Sequence, residues 1–237
     1  MRKSRNSKIK WILGAGTILI LACSFLNTPS DAHIRSRIVR IGSDKGMCSG
    51  EQVRAPSGQD YILTAGHCNS LDNGNGTYNV KTEDGRTLVR RIVAEDPNSD
   101  LMLLEGLPDM KGLSIADMSW HGEKIKTYTH GRDLATFSTE GQLIQFELVD
   151  IPLFRLDSDT QIEKCNKTPK LKSFPEHGIC ALHVLEEVTT AFIAPGSSGG
   201  AAVNSVGELI GVASASDGQG FFYFVTLGDI KQFLNNY

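Results

Sequence analysis

Short runs of apolar and β-branched residues, broken by clusters of turn formers, predict an all-β chain. The runs are Arg37–Ile41, Tyr61–Thr64, Tyr78–Lys81, Thr87–Val93, Leu101–Leu104, Ile125–Tyr128, Leu143–Leu148, Leu209–Ser214 and Phe221–Val225. Between them lie Asp72-Asn73-Gly74-Asn75-Gly76, Glu83-Asp84-Gly85 and Asp217-Gly218-Gln219-Gly220, which supply the positive φ and side-chain caps that tight turns need. Many short strands at close spacing suit barrels or sandwiches. The stretch from Gly106 to Glu123, with Pro108, Gly112 and Gly122, reads as the connection between two halves. A helix is expected only at the C-terminus, where Ile230, Phe233 and Leu234 fall at i, i+3 and i+4 and Asp229 favours the first turn. No internal repeat or low-complexity tract interrupts this pattern.

The 237 residues suffice for one or two packed domains, and 40% hydrophobic with 22% charged residues is ordinary for a globular protein. The net charge of -3 hides an asymmetry. Arg2, Lys3, Arg5, Lys8 and Lys10 crowd the first ten residues; without residues 1–32 the balance is 19 bases to 26 acids, or -7. The remaining bases are dispersed, so no nucleic-acid surface is expected. The basic start and the uncharged, mostly apolar stretch Trp11–Leu26 read as an export signal, short for a membrane span. Three fates are open. Ser30-Asp31-Ala32 suits cleavage after Ala32, Ile20-Leu21-Ala22-Cys23 loosely suits lipidation of Cys23, and residues 11–26 retained uncut would form a membrane anchor. Loss of Cys23 leaves four cysteines, an even number that suits an oxidising compartment, although free buried thiols remain open.

Three segments carry chemistry. Ala194-Pro195-Gly196-Ser197-Ser198-Gly199-Gly200 sets a hydroxyl between glycines, Thr64-Ala65-Gly66-His67-Cys68 supplies an imidazole, and Asn98-Ser99-Asp100-Leu101 places an acid at the mouth of an apolar strand. Each is weak alone, but histidine, aspartate and serine in that order is one of few known arrangements for acyl transfer. A serine hydroxyl needs a neutral imidazole to take its proton, and the imidazole needs a shielded carboxylate to set its tautomer and to tolerate its charge. Asp96 and Glu105 compete for the acid's place, but a turn and a strand end suit surface roles. The nucleophile elbow of α/β-hydrolases also fits Gly196-x-Ser198-x-Gly200, yet it requires an acid and then a histidine after the serine, and the last histidine is His183. His130 is a rival base; His33, His121, His177 and His183 are scattered without ligand spacing. With no HExxH or paired CxxC, neither a metal nor another cofactor is expected.

From about residue 36 to 237 the chain resembles the trypsin-like (chymotrypsin-fold) serine proteases. The resemblance implies two antiparallel six-stranded β-barrels with a C-terminal helix, divided as residues 33–118 and 119–237 after a signal or anchor at 1–32. It implies His67, Asp100 and Ser198 as catalytic residues, with the N–H groups of Gly196 and Ser198 as an oxyanion hole. Ser214 would support the aspartate and begin the strand beside the substrate, and Phe192 and Ser216 would help line the specificity pocket. Six positions before Ser198 stands Phe192 and not an acid, so a shallow neutral pocket for small or apolar side chains is expected. A Cys48–Cys68 disulfide ahead of the histidine is also implied, leaving Cys165 with Cys180. Arg37-Ile38-Val39 imitates an activation site, but Ser197 replaces the aspartate that would receive a new N-terminus, and Ile38 lies too near Cys48. The pattern is closer to bacterial and viral relatives, and Ile38–Ile41 reads as a first strand. The expected protein is a monomeric, secreted or periplasmic endopeptidase acting on protein or peptide substrates; the alternative is an inactive relative serving as a binding module.

Overall fold

The structure, a computed structural model, describes residues 29–43, 46–131, 135–167 and 169–237. Residues 1–28, which include Cys23 and the apolar stretch 11–26 expected to direct export, lie outside the described residues. Among the described residues, no helix is long and apolar enough to cross a membrane.

After a short helix α1 (Asp31–Arg35), strands β1 (Ile38–Ser43), β2 (Gly46–Arg54), β3 (Asp60–Ala65), β4 (Thr77–Thr82), β5 (Thr87–Asp96) and β6 (Leu101–Glu105) form a closed antiparallel barrel in the order β1-β2-β3-β6-β5-β4. A second sheet follows, built from β7 (Lys124–His130), β8 (Thr136–Arg155), β9 (Leu171–Phe174), β10 (Ile179–Thr189), β11 (Ala201–Val203), β12 (Leu209–Ser216) and β13 (Phe222–Val225). Its order is β13-β12-β11-β7-β8-β10-β9, and pairing of β10 with β13 closes six of the strands into a ring with β9 outside. Helix α2 (Asp159–Lys167) lies in the excursion between β8 and β9, and helix α3 (Leu227–Leu234) ends the chain. The all-β class, the two barrels and the terminal helix are therefore as expected.

The continuous apolar run Leu101–Leu104 shows how the core is divided. Successive strand side chains face opposite ways, so Met102 and Leu104 fill the first barrel beside Ile41, Ile62 and Val80. Leu101 and Leu103 point instead into the layer between the barrels, against Leu63, Tyr128, Val212, Val225 and Ile230. A strand covered on both faces has no reason to alternate. Asp100, immediately before this strand, thus emerges at the junction of the barrels. Helix α3 is fixed by a reciprocal cap: the Asp229 N–H donates to Thr226 Oγ1 (3.2 Å), whose hydroxyl donates to Asp229 Oδ2 (2.7 Å). Its Ile230, Phe233 and Leu234 are buried.

Two disulfides join Cys48 to Cys68 and Cys165 to Cys180. The first ties β2 to the 3₁₀ turn Gly66–Leu71 that carries His67. The second ties α2 to β10, across a separation of 15 residues.

Candidate active site

Strand β3 ends at Ala65, and the chain turns at once into the 3₁₀ turn. The N–H of Gly66 donates to the Asp100 carbonyl at 2.8 Å. This backbone bond brings the histidine turn to the entrance of β6. Asp100 has φ 53°, a conformation that few residues other than glycine adopt readily, although aspartate tolerates it better than most. Its side chain is almost fully buried, 2% exposed, and receives three donors. The His67 backbone N–H donates to Oδ1 at 2.8 Å, His67 Nδ1 lies 2.9 Å from Oδ2, and the Ser214 hydroxyl donates to Oδ2 at 2.9 Å. These donors take the place of the water that burial removes.

Burial is the largest single influence on the His67 ring and opposes protonation. The charge of Asp100 and its hydrogen bond together outweigh it, so the imidazole is held above the usual histidine value. With Nδ1 facing a carboxylate, the neutral ring carries its proton there and leaves Nε2 as the acceptor.

Ser198 enters from the other barrel. Its hydroxyl donates to the Ser214 carbonyl oxygen at 3.4 Å, so Ser214 contacts both the acid and the candidate nucleophile. Among the described residues, Ser198 makes no hydrogen bond to His67. The carbonyl oxygens around it all have donors. The carbonyl oxygens of Gly196, Ser197 and Ser198 accept from Ser49 Oγ (3.1 Å), Gly200 N–H (2.9 Å) and Ser49 N–H (2.7 Å). The N–H groups of Gly196 and Ser198 donate to no protein acceptor among the described residues. Gly196 has φ 94°, which a side chain would strain. A Cβ on Gly199 would stand 2.1 Å from Thr64 Oγ1 and 2.4 Å from the Ser49 carbonyl oxygen. The glycines therefore let this loop approach β2 and β3 of the first barrel.

The other candidates lie elsewhere. Asp96 accepts from the Asn98 N–H, and Glu105 from the Arg91 N–H. His130 is buried on β7 with its N–H on Ser49 Oγ (2.8 Å) and Nε2 near Thr136 Oγ1 (3.3 Å). Phe192 is 52% exposed and meets Phe222 edge to face at 5.4 Å. It forms an apolar shelf beside β12, not a sealed floor. Ser216, paired with Phe222, is exposed at the end of β12. Cys48, Cys68 and His67 lie together, but both sulfurs are spent in the disulfide and present no thiolate to a metal.

Two residues behind this loop carry no mark in the sequence: Ser49, and Thr129, whose Oγ1 accepts from Ser197 Oγ at 2.8 Å. Small hydroxyl residues in strands read as solvent-facing, and only the folded loop shows what they touch.

Residues 48–212 match the trypsin-like peptidase domain family. The serine protease Do-like HtrA of Bacillus subtilis (strain 168) is 23% identical over 193 residues, covering 80% of this chain and 38% of that protein. The chain thus spans well under half the length of that relative. The Rv3671c protease of M. tuberculosis H37Rv, solved in an inactive form, superposes with a TM-score of 0.64 at 18% identity, covering 90% of this chain and 94% of that one. A serine endoprotease from Yersinia pestis gives a TM-score of 0.59 at 18% identity, covering 88% and 68%. At such identity these structures speak to the fold alone.

Proposed function

Because the chain belongs to the trypsin-like peptidase family, we propose that it is an exported serine endopeptidase working through His67, Asp100 and Ser198 and an acyl-enzyme. The observation that carries this reading is the buried carboxylate of Asp100, which receives both His67 Nδ1 and the Ser214 hydroxyl at 2.9 Å. Such a carboxylate fixes the tautomer in which Nε2 can accept a proton.

In the proposed reaction the Ser198 hydroxyl turns from the Ser214 carbonyl toward His67. As Oγ bonds to the scissile carbonyl carbon, its proton passes to Nε2. The oxygen of the tetrahedral species becomes negative and is met by the N–H groups of Gly196 and Ser198. Each such donor is worth about 3 kcal/mol in related chemistry. The imidazolium then gives its proton to the departing amine, leaving an ester on Ser198. Water, deprotonated by the same imidazole, releases the acid and restores the hydroxyl. Apo sites commonly hold catalytic hydrogen bonds loosely, and substrate closes them.

The substrate is a protein or peptide. The exposed ring of Phe192, set edge-on against Phe222, and the exposed Ser216 paired with Phe222 offer an uncharged surface, which suits a small or apolar side chain before the cleaved bond. The two disulfides suit secretion or a periplasmic site. Cleavage after Ala32 would discard Asp31, whose carboxylate holds Lys126 Nζ at 2.6 Å and the Tyr128 hydroxyl at 2.7 Å. Those contacts favour an enzyme that keeps Asp31, with residues 33–118 and 119–237 as its two barrels.

A second reading, an inactive binding module, draws on the absence of a His67 bond to Ser198. Profiling a peptide library separates the two. Cleavage that disappears in Ser198→Ala supports the peptidase, and no cleavage by folded, oxidised wild type supports the module.

A further inference from the structure

We infer that Thr129, acting through the hydroxyl of Ser197, is a positioning residue that holds the oxyanion loop ready. The inference rests on the peptidase reading and adds a residue that the reading does not use.

The loop must keep two N–H groups turned toward the cleft, and its own chemistry does not ensure this. Gly196 has φ 94° and no Cβ, so little local resistance prevents its peptides from rotating. Bonds from elsewhere must fix them. The peptide between Gly196 and Ser197 is held at both ends: its N–H donates to the Ala194 carbonyl at 2.9 Å, and its oxygen accepts from Ser49 Oγ at 3.1 Å. The Ser197 side chain completes the clamp. Its Oγ accepts the Ala194 N–H at 3.1 Å and donates to Thr129 Oγ1 at 2.8 Å. Residues 194 and 197 are thus bonded reciprocally, and the turn between them carries Gly196.

Ser197, Thr129 and Ser49 are all fully buried. No water can substitute for a lost partner there, and an unmade bond leaves a buried donor stranded. Thr129 belongs to β7, a central strand between β8 and β11, so the loop is referred to the rigid body of the second barrel. Ser49, on β2, refers the same peptide to the first barrel. Ser197, which stands where cleavage-activated relatives carry aspartate, is thereby held by a neutral hydroxyl.

The two halves of the Thr129 side chain can be tested apart. Its methyl packs on Gly200, where an added Cβ would lie 2.5 Å from Cγ2. Thr129→Val keeps that packing and removes the hydroxyl, whereas Thr129→Ser does the reverse. For Thr129→Val we expect kcat on a cleaved peptide to fall about 10- to 100-fold, with KM changed less than about 2-fold, the range for loss of a stabilising donor. Inhibition by a peptide aldehyde, whose adduct needs the same N–H groups, should weaken in parallel. Amide exchange at Ser197 should quicken. Thr129→Ser should restore kcat to within about 3-fold and restore Ser197 protection. Ser197→Ala removes the same bond from its other end and serves if Thr129→Val does not fold.

Unchanged kcat and Ser197 protection in Thr129→Val would overturn the proposal, as would a Thr129→Ser variant as impaired as Thr129→Val. If wild type fails to react with a fluorophosphonate, the peptidase reading falls. The Ser197 exchange comparison still decides whether Thr129 holds the loop.

Discussion

Replacing Asp100 with asparagine should leave the fold standing and nearly abolish turnover, and the geometry dictates how. The carboxylate has two unequal oxygens. Oδ1 accepts the His67 backbone N–H at 2.8 Å, and that donor cannot be reversed. An asparagine amide placed there would set two donors against each other in a buried site, so the carbonyl must take the Oδ1 position. The NH₂ group then falls at Oδ2, facing His67 Nδ1 and the Ser214 hydroxyl, each 2.9 Å away. Ser214 can rotate its proton and accept. Nδ1 also lies 3.1 Å from Oδ1, but Oδ2 is its nearer partner at 2.9 Å, and an amide hydrogen there is met by an Nδ1 that accepts, which moves the ring proton to Nε2. An Nε2–H cannot take a proton from Ser198. The expected loss is about 10⁴ in kcat, the value known for this substitution in the family and equal to about 5.5 kcal/mol of barrier. The assay is kcat and KM on a peptide identified by library profiling, with thermal melting to confirm folding. KM should move little, because the acid does not touch substrate. A variant within 10-fold of wild-type kcat would refute the assignment of the acid and the tautomer argument with it.

Further outcomes follow from titration and cross-linking. Since Asp100 raises the His67 pKa, kcat/KM should increase with pH through a midpoint above the ordinary histidine value, and Asp100→Asn should lower the midpoint of the ring when followed by NMR; a ring unaffected by the substitution would contradict the pair. Glu51 is completely buried on β2 with neither carboxyl oxygen hydrogen-bonded among the described residues, and burial raises its pKa well above the usual range. The raised folded-state value means that its neutral form favours folding at low pH, and that stability is lost as pH climbs past the unfolded carboxyl range. Urea unfolding of Glu51→Gln should therefore show a smaller loss between pH 4 and pH 8 than wild type, and an equal loss would place the carboxyl in a solvated site. Joint replacement of Cys165 and Cys180 by serine should reduce stability by about 3 kcal/mol on the chain-entropy account of a 15-residue loop. A calorimetric melt unchanged from wild type would mean that α2 holds against β10 without the bridge.

How much was legible in the sequence depended on what each strand buries. Runs such as Ile38–Ile41, Tyr61–Thr64 and Leu101–Leu104 announce themselves because both faces, or one, are apolar. Strand β2 was missed because Ser49, Glu51 and Gln52 interrupt it, although all three are buried. Gln52 explains its own presence: its amide nitrogen donates to the Leu107 carbonyl and its oxygen accepts the Leu107 N–H, serving the connection that leaves the first barrel. Strand β10 was missed for the same reason, since His183, Glu186 and Glu187 break its apolar pattern. Burial raises the pKa of Glu187 to about 7, so this acid can sit in the fold without a full charge. Strand β11 has three residues, too few to register a period. Strand β8 continues past Leu148 to Arg155 despite Pro152, and the register shift opposite, between Cys180 and Ala181, takes up the irregularity.

The candidate site divides in the same way. Histidine, aspartate and serine stand out because their types and order are rare together. The hydroxyls of Ser49, Thr129 and Ser197 carry no such mark. They acquire a role only when two barrels meet and each loop peptide needs a partner. Phe192 shows the converse: its position in the chain suggests a pocket floor, but its exposure depends on the pairing of β10 with β13 that sets Phe222 against its ring, which local sequence does not encode.

The central claim is that Ser198 is a nucleophile activated by His67. Intact-mass spectrometry after exposure to a fluorophosphonate tests it most directly. One adduct per chain, mapped to Ser198 and lost in both Ser198→Ala and His67→Ala, is the predicted result. An unmodified wild-type protein with both disulfides formed, or an adduct that persists without His67, would contradict it.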